Sequence, residues 1–299
     1  MKIERLLAGV LGIAMGIFSL PSTAAAASYY LHTNQTSSSN WHTVAAAQGW
    51  YDAPTGGSQL AVFDATGHYF NNGFNLRTPP SADAPSVFGG RSLTMSGALL
   101  QLRSSGNTIS NLTSLGTTIV NAVSATATVL NITQFSNQGT TTVGDHEARA
   151  VTLNIGTLTG SGNLVSGGSS SGATLNLSIA DAANFTGSFN HVAGRLNFNS
   201  DFTSGGGLAL SLGTFVTLDQ AVTFTSLSIA GDVLGAGEYS YAYLNANYGA
   251  IFDLGTAAGF ITVAPIPEPQ TWALLAIGLG AWFFHRPGRR RSACRPSGP

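Results

Sequence analysis

Charge is scarce in this sequence: Asp, Glu, Lys and Arg make up 8% of its 299 residues, against about 25% in an ordinary globular domain. Seven of the twelve cations sit at the two ends, as Lys2, Arg5, Arg286, Arg289, Arg290, Arg291 and Arg295. Between residues 28 and 264 only Arg77, Arg91, Arg103, Arg149 and Arg195 face eleven carboxylates, a net charge of −6. A phosphate backbone is held by a cationic stripe, so this balance argues against nucleic acid as a partner. Cysteine is nearly absent too. The sole thiol, Cys294, lies in the C-terminal tail, which excludes an intramolecular disulfide and a zinc site built on thiolates. It is also far from the position just after a signal peptide where a lipoprotein is acylated.

Helical periodicity is missing as well. Residues 45–48 and 180–184 could each form about one turn, too little for βαβ units. What fills the chain instead is glycine, 37 residues of it, with Ser, Thr and Asn between short runs of Val, Ile, Leu, Thr and Phe. That is the punctuation of many short strands and turns.

The two ends read as addresses. Lys2 and Arg5 precede an apolar run over residues 6–20, and Ala25-Ala26-Ala27 supplies the small residues of an A-x-A cleavage site. This is the pattern of a secretory signal peptide over residues 1–27, cut after Ala27 with Ala25 as the other small residue. At the far end the prolines of residues 265–269 hold the chain extended, so a helix can start only after them. The apolar run then carries Trp272, Leu274, Leu275, Ile277, Leu279, Trp282, Phe283 and Phe284, and Arg286, Arg289, Arg290 and Arg291 follow it. By the positive-inside rule those arginines stay cytoplasmic and stop translocation. About fourteen residues at ~1.5 Å each cover roughly 21 Å of a ~30 Å hydrocarbon layer, so this short transmembrane helix needs local thinning or snorkelling of Arg286.

The string Ile266-Pro267-Glu268-Pro269-Gln270-Thr271-Trp272-Ala273-Leu274-Leu275, with its apolar stretch and arginine cluster, resembles the PEP-CTERM sorting signal of Gram-negative exopolysaccharide-producing bacteria. The sorting signal is read over residues 265–299; the resemblance covers about 25 of them, and the chain departs from the family in a tail that continues from Ser292 to Pro299. It implies recognition of Pro267, Glu268 and Pro269 by an exosortase, a membrane transpeptidase. Membership implies a destination in the cell envelope or outside it, and no particular activity.

Between the addresses a repeat is visible in Leu130-Asn131-Ile132, Leu153-Asn154-Ile155, Leu175-Asn176-Leu177 and Leu196-Asn197-Phe198, with a degenerate copy at Leu218-Asp219. A steady period of about 22 residues with drifting sequence predicts stacked rungs. The expected fold is all-β: a single-stranded, right-handed parallel β-helix over residues 87–264, with an aromatic N-terminal cap over 28–86. Eight rungs at ~4.8 Å would make a rod of roughly 40 Å. In each triplet the flanking apolar residues should point inward and the Asn outward, or into an amide ladder. Residues 234–263 read as terminal strands, similar to those preceding the sorting signal in the same family. The rungs also resemble autotransporter passenger repeats, although no outer-membrane barrel segment follows.

The densest ionisable cluster is Asp145-His146-Glu147 with Arg149. β-Helices that cleave acidic sugars use carboxylates with Arg or Lys, but alternation puts Asp145 and Glu147 opposite His146, and no second acidic strand completes a site. His32, His42, His68 and His191 are scattered and read as surface or cap residues. No zinc, calcium, nucleophile-elbow or phosphate-loop motif is present, so no catalytic residue, metal or cofactor is expected. The leading expectation is a structural or adhesive envelope protein that contacts exopolysaccharide. The alternatives are a polysaccharide lyase or hydrolase, and a glycan-binding module using Trp41, Trp50 and Tyr51, in which Trp50→Ala would weaken glycan retention and leave the fold intact.

Overall fold

The computed structural model describes residues 25–36, 38–44, 48–80, 86–121, 127–144, 149–167 and 173–265. Within them the chain is almost entirely β and winds as a parallel solenoid of about six turns with one short helix. Alternation is the cause. In the strand Ala150–Thr159, Val151, Leu153 and Ile155 are buried while Thr152 and Asn154 between them are only half-buried, the period of two that a pleated strand imposes.

Each turn passes through three columns of parallel pairings. In the first, Leu130, Leu153, Leu177, Phe198 and Leu218 stand in register, one per turn. In the second the inward residues are Tyr29, Tyr69, Leu93, Leu112, Phe135 and Leu158. In the third they run Leu100, Ile119, Val143, Ser166, His191, Leu210 and Ile229. A fully buried Leu, Ile or Phe contributes about 1.5–3 kcal/mol, and every turn buries several, so the core lengthens with the coil and needs closing only at its ends.

Down the first column Asn107 pairs with Leu130, Leu130 with Leu153, Leu153 with Leu177, Leu177 with Phe198 and Phe198 with Leu218. The period agrees with the repeat, but about six turns form where eight rungs are expected. The difference lies at the C-terminal end, where residues 230–259 close the coil and do not extend it. Asp232–Leu234 folds back antiparallel to Ser226–Ile229, and Gly237–Ser240 lies antiparallel to Phe260–Val263. Between them Tyr241–Tyr248 is an α-helix, contrary to the expectation of strands alone. Ser240 caps it, its hydroxyl accepting from the Tyr243 N–H, as N-cap serines do. Only Leu244 is buried, so the helix has no apolar stripe and leaves no periodic signal in the sequence.

The N-terminal end is closed by aromatic side chains. Ser28–Leu31 pairs in parallel with His68–Phe70 and antiparallel with Trp50–Tyr51. Under these strands the Phe63 ring stacks on Tyr69 at 4.4 Å, with Trp50 and Phe88 edge-on to Tyr69 at 4.9 and 5.4 Å. Trp50 Nε1 donates to the Trp41 carbonyl at 2.9 Å, which satisfies one indole N–H inside the cluster.

One corner of the coil requires glycine. Gly139, Gly162, Gly187 and Gly206 follow one another between the second and third columns, and a Cβ on Gly162, Gly187 or Gly206 would strike the carbonyl oxygen of the glycine one turn before. The backbones approach there because the turns hydrogen-bond directly, Asn163 N to Gly139 O at 2.9 Å and Gly207 N to Gly187 O at 3.2 Å.

Candidate functional site

Outward side chains recur at the strand spacing of ~4.8 Å, so similar residues form ranks along the rod. On the first column the rank is rich in amides. Asn154 Nδ2 donates to Asn131 Oδ1 at 2.8 Å, and Asn131 Nδ2 to Thr108 Oγ1 at 3.5 Å. Asn197 Nδ2 donates to Asn176 Oδ1 at 2.7 Å, and Asn176 Nδ2 to Thr152 Oγ1 at 3.3 Å. The four triplets therefore make two short ladders and not one. Asn154 stands opposite Ser178, and Asn176 opposite Thr152. Because Leu153 pairs with Leu177 and not with Leu175, the motif slides by one in-out period there while Asn stays outward. The Leu218-Asp219 copy slides back the other way, since Leu218 faces Phe198 and not Leu196.

Two grooves of about 400 Å³ each cross these ranks. One follows the end of the first column, past Asn131, Thr133, Asn154, Gly156, Ser178 and Ser200. The other lies on the second column, past Asn111, Thr113, Gln134, Ser136, Thr157 and Thr159. Neither lining includes a charged side chain or a histidine.

Four of the carboxylates that the structure describes serve the backbone. Asp52, Asp64, Asp181 and Asp201 each accept a backbone N–H, from Ser58, Thr66, Ala183 and Ala221. The Thr66 backbone and hydroxyl hold the Asp64 carboxyl below its ordinary value, helped by the Tyr29 hydroxyl at 2.9 Å. Arg195 clasps Asp253 with two nitrogens at 2.6 and 2.9 Å and lies 5.4 Å from the Phe215 ring centroid. That contact raises the Arg195 pKa and lowers that of Asp253, and it ties the returning segment to the last turns. Among the described residues no three His, Cys, Asp or Glu side chains gather as a metal would need. Asp145, His146 and Glu147 lie outside the described residues.

Two sequence expectations are corrected by burial. His191 is neither a surface nor a cap residue: it is 1% exposed, an inward member of the third column, with Nε2 3.0 Å from the Phe215 carbonyl and Nδ1 3.3 Å from that of Ser166. Burial pushes its pKa down, as it does for His42 between Trp41 and Phe63. Trp41 and Trp50 are fully buried and offer no surface to a glycan. Among the half-buried aromatics of the cap are Tyr30, Tyr51 and Phe70, with His32 stacked on Tyr51 at 4.0 Å and Tyr30 on Phe70 at 5.1 Å. Sequence reading missed Tyr30 and Phe70 as a surface pair, although each is the outward partner of an inward tyrosine, Tyr29 or Tyr69.

Ala25 and Ala27 are described just before the first strand, and the Ala27 carbonyl accepts from His68 N at 2.8 Å. The sorting residues Pro267, Glu268 and Pro269, the apolar run Trp272 to Phe284 and the arginines Arg286, Arg289, Arg290 and Arg291 lie outside the described residues. No helix among the described residues is long and apolar enough to cross a membrane. Comparison with family models, with curated proteins and with solved structures finds no match.

Proposed function

We propose that this chain is an exported structural or adhesive protein of the bacterial envelope or extracellular matrix, associated with exopolysaccharide. The observation that carries the reading is the outer surface of the solenoid. Its two grooves are lined by amides, hydroxyls and apolar groups, with no carboxylate or arginine to perform acid-base work on a sugar. A rod of repeated uncharged faces suits contact with a polymer better than turnover of one bond.

In this reading the segment from Met1 to Ala27 is removed, and what supports the cut is that the first strand begins at Ser28. The Pro267-Glu268-Pro269 element and the apolar stretch after it hold the chain briefly in the inner membrane for an exosortase, and the last strand ends at Val263, just ahead of them. The coil is right-handed, the hand that parallel crossover connections take.

Terminal-peptide mass spectrometry on protein recovered from envelope and medium tests the route. A chain starting near Ser28 and lacking the residues from Trp272 onward is expected. An intact C-terminus in the membrane fraction would mean a simple tail anchor and would remove the exosortase from the account. Incubation of the protein with the host's own exopolysaccharide tests the role: co-sedimentation without new reducing ends is expected, and released oligosaccharides would turn the reading to a lyase or hydrolase.

A further inference from the structure

The two grooves differ in one respect that separates scaffold from binding surface. On the first column the outward amides bond to one another, Asn154 to Asn131 and Asn197 to Asn176. On the second column the outward groups are mostly unspent. Asn111 donates to the Arg91 carbonyl at 2.8 Å, and Ser136 receives Gln138 Nε2 at 3.3 Å. The side chains of Thr94, Thr113, Gln134, Thr157 and Thr159 make no hydrogen bond to any described residue.

These groups belong to one continuous rank. Strand register places Tyr51 beside Tyr30, then Phe70, Thr94, Thr113, Ser136 and Thr159 in succession. Each follows a buried residue and is itself only half-buried, so all seven face outward. At ~4.8 Å per strand the rank runs roughly 29 Å along the rod, aromatic at the capped end and hydroxyl-bearing beyond. A second rank lies one in-out period earlier on the same strands, with Ser28, His68 and Ser92 in register near the cap and Asn111, Gln134 and Thr157 in register further on. The groove of about 400 Å³ runs between these ranks. No charged side chain stands in either rank before Asp181, which faces Thr157 at the far end.

We infer that this outer face of the second column binds a neutral, extended polysaccharide laid along the solenoid axis. The stacked rings of Tyr30 and Phe70 offer an apolar ridge to a pyranose, and the unspent hydroxyls and amide offer one hydrogen-bonding position per turn to the sugar hydroxyls. The repeat per strand calls for a ligand that is itself periodic, which excludes a small molecule. The absence of charged side chains from both ranks up to Asp181 favours a neutral polymer over a uronic-acid one, which a row of cations would hold better. The inference deepens the surface role proposed above and rests on it for its biological sense.

Affinity electrophoresis of the full chain through gels containing hydroxyethyl cellulose or dextran, with alginate as the anionic control, tests it. The wild type should be retarded by a neutral glucan and not by alginate. Tyr30→Ala with Phe70→Ala should weaken that affinity about tenfold or more, as truncation of an interface aromatic does. Because those two rings also stack on each other, Thr113→Val with Thr159→Val serves as a second variant that keeps shape and removes the hydroxyls, with a loss of about three- to tenfold. Unchanged retardation of both double variants would overturn the inference and leave the surface reading standing. Absence of retardation of the wild type by either glucan, or stronger retardation by alginate, would overturn it too. Protein recovered with neither end processed would remove the proposed route without altering the gel result.

Discussion

Gly162→Ala isolates the cost of the glycine corner. Gly162 does not lie in the left-handed region that favours glycine, so an alanine there meets no conformational penalty of its own. Its Cβ would strike the Gly139 carbonyl oxygen, and would lie 2.7 Å from Gly139 N and 2.8 Å from the Gln138 carbonyl carbon. These are backbone atoms and cannot rotate away. Relief requires the two turns to part at the corner, which stretches the bonds from Gly162 N to Asn137 O and from Asn163 N to Gly139 O, both at 2.9 Å. Overpacking costs about 1–3 kcal/mol and a weakened backbone bond about 0.5–1.5 kcal/mol, so a loss of roughly 2–4 kcal/mol is expected. Gly106→Ala is the control, because Gly106 has φ +77° and nothing within 4 Å of its Cβ; it should cost about 1–2 kcal/mol through backbone strain alone. Urea unfolding followed by the fluorescence of the buried tryptophans measures both. A Gly162→Ala variant no less stable than Gly106→Ala would refute the claim that interturn contact, and not turn geometry, places glycine at this corner.

Acidification should destabilise the fold through the histidines. His42 and His191 have depressed pKa values in the folded chain because burial disfavours the imidazolium; below the ordinary value of about 6.5 the unfolded chain takes protons that the folded chain refuses, so stability falls as pH drops, by up to about 1.4 kcal/mol per pH unit for each group. The melting temperature should decline from pH 7.5 to 5, and His191→Leu, which continues the apolar run toward Leu210, should decline less; equal declines would sink the assignment. Trp50→Ala should cost about 3–5 kcal/mol, since the ring is fully buried against Tyr69, and a variant of wild-type midpoint would contradict that packing. Asp253→Asn weakens a partly exposed pair of the kind contributing about 0.2–1 kcal/mol. Its effect should be local, as faster hydrogen exchange at Val216 N, which donates to the returning segment at Ile251 O, with little change in the urea midpoint.

The fold is legible because its rule is repeated. Leu-Asn-apolar at intervals of about 22 residues announces both the strand period and the turn length, and Leu130, Leu153, Leu175 and Leu196 are all buried, as that phase requires. Register is not legible, because a slide of one in-out period between Asn154 and Asn176 preserves the alternation and leaves no mark on the hydrophobic pattern. The helix Tyr241–Tyr248 is hidden for a related reason: with one buried residue, it carries no stripe to detect. Aromatics mislead in the opposite sense. Trp41 and Trp50 stand out by type, yet large rings are what closing the end of an apolar column demands, and the outward positions fall to Tyr30, Tyr51 and Phe70.

That division suggests how to read function on a solenoid. Inward residues are constrained by the core, and outward residues that bond to one another, such as Asn131 with Asn154, are constrained by the coil itself. An outward residue bound to nothing in the chain is under neither constraint. When Thr94, Thr113 and Thr159 recur in one rank on such terms, continuous with Tyr30 and Phe70, strand propensity favours these residue types but does not require a continuous rank of unbonded hydroxyls. A repeating ligand is the further reason proposed above. The first-column groove, although equal in volume, differs in that its amides bond to one another, Asn154 to Asn131.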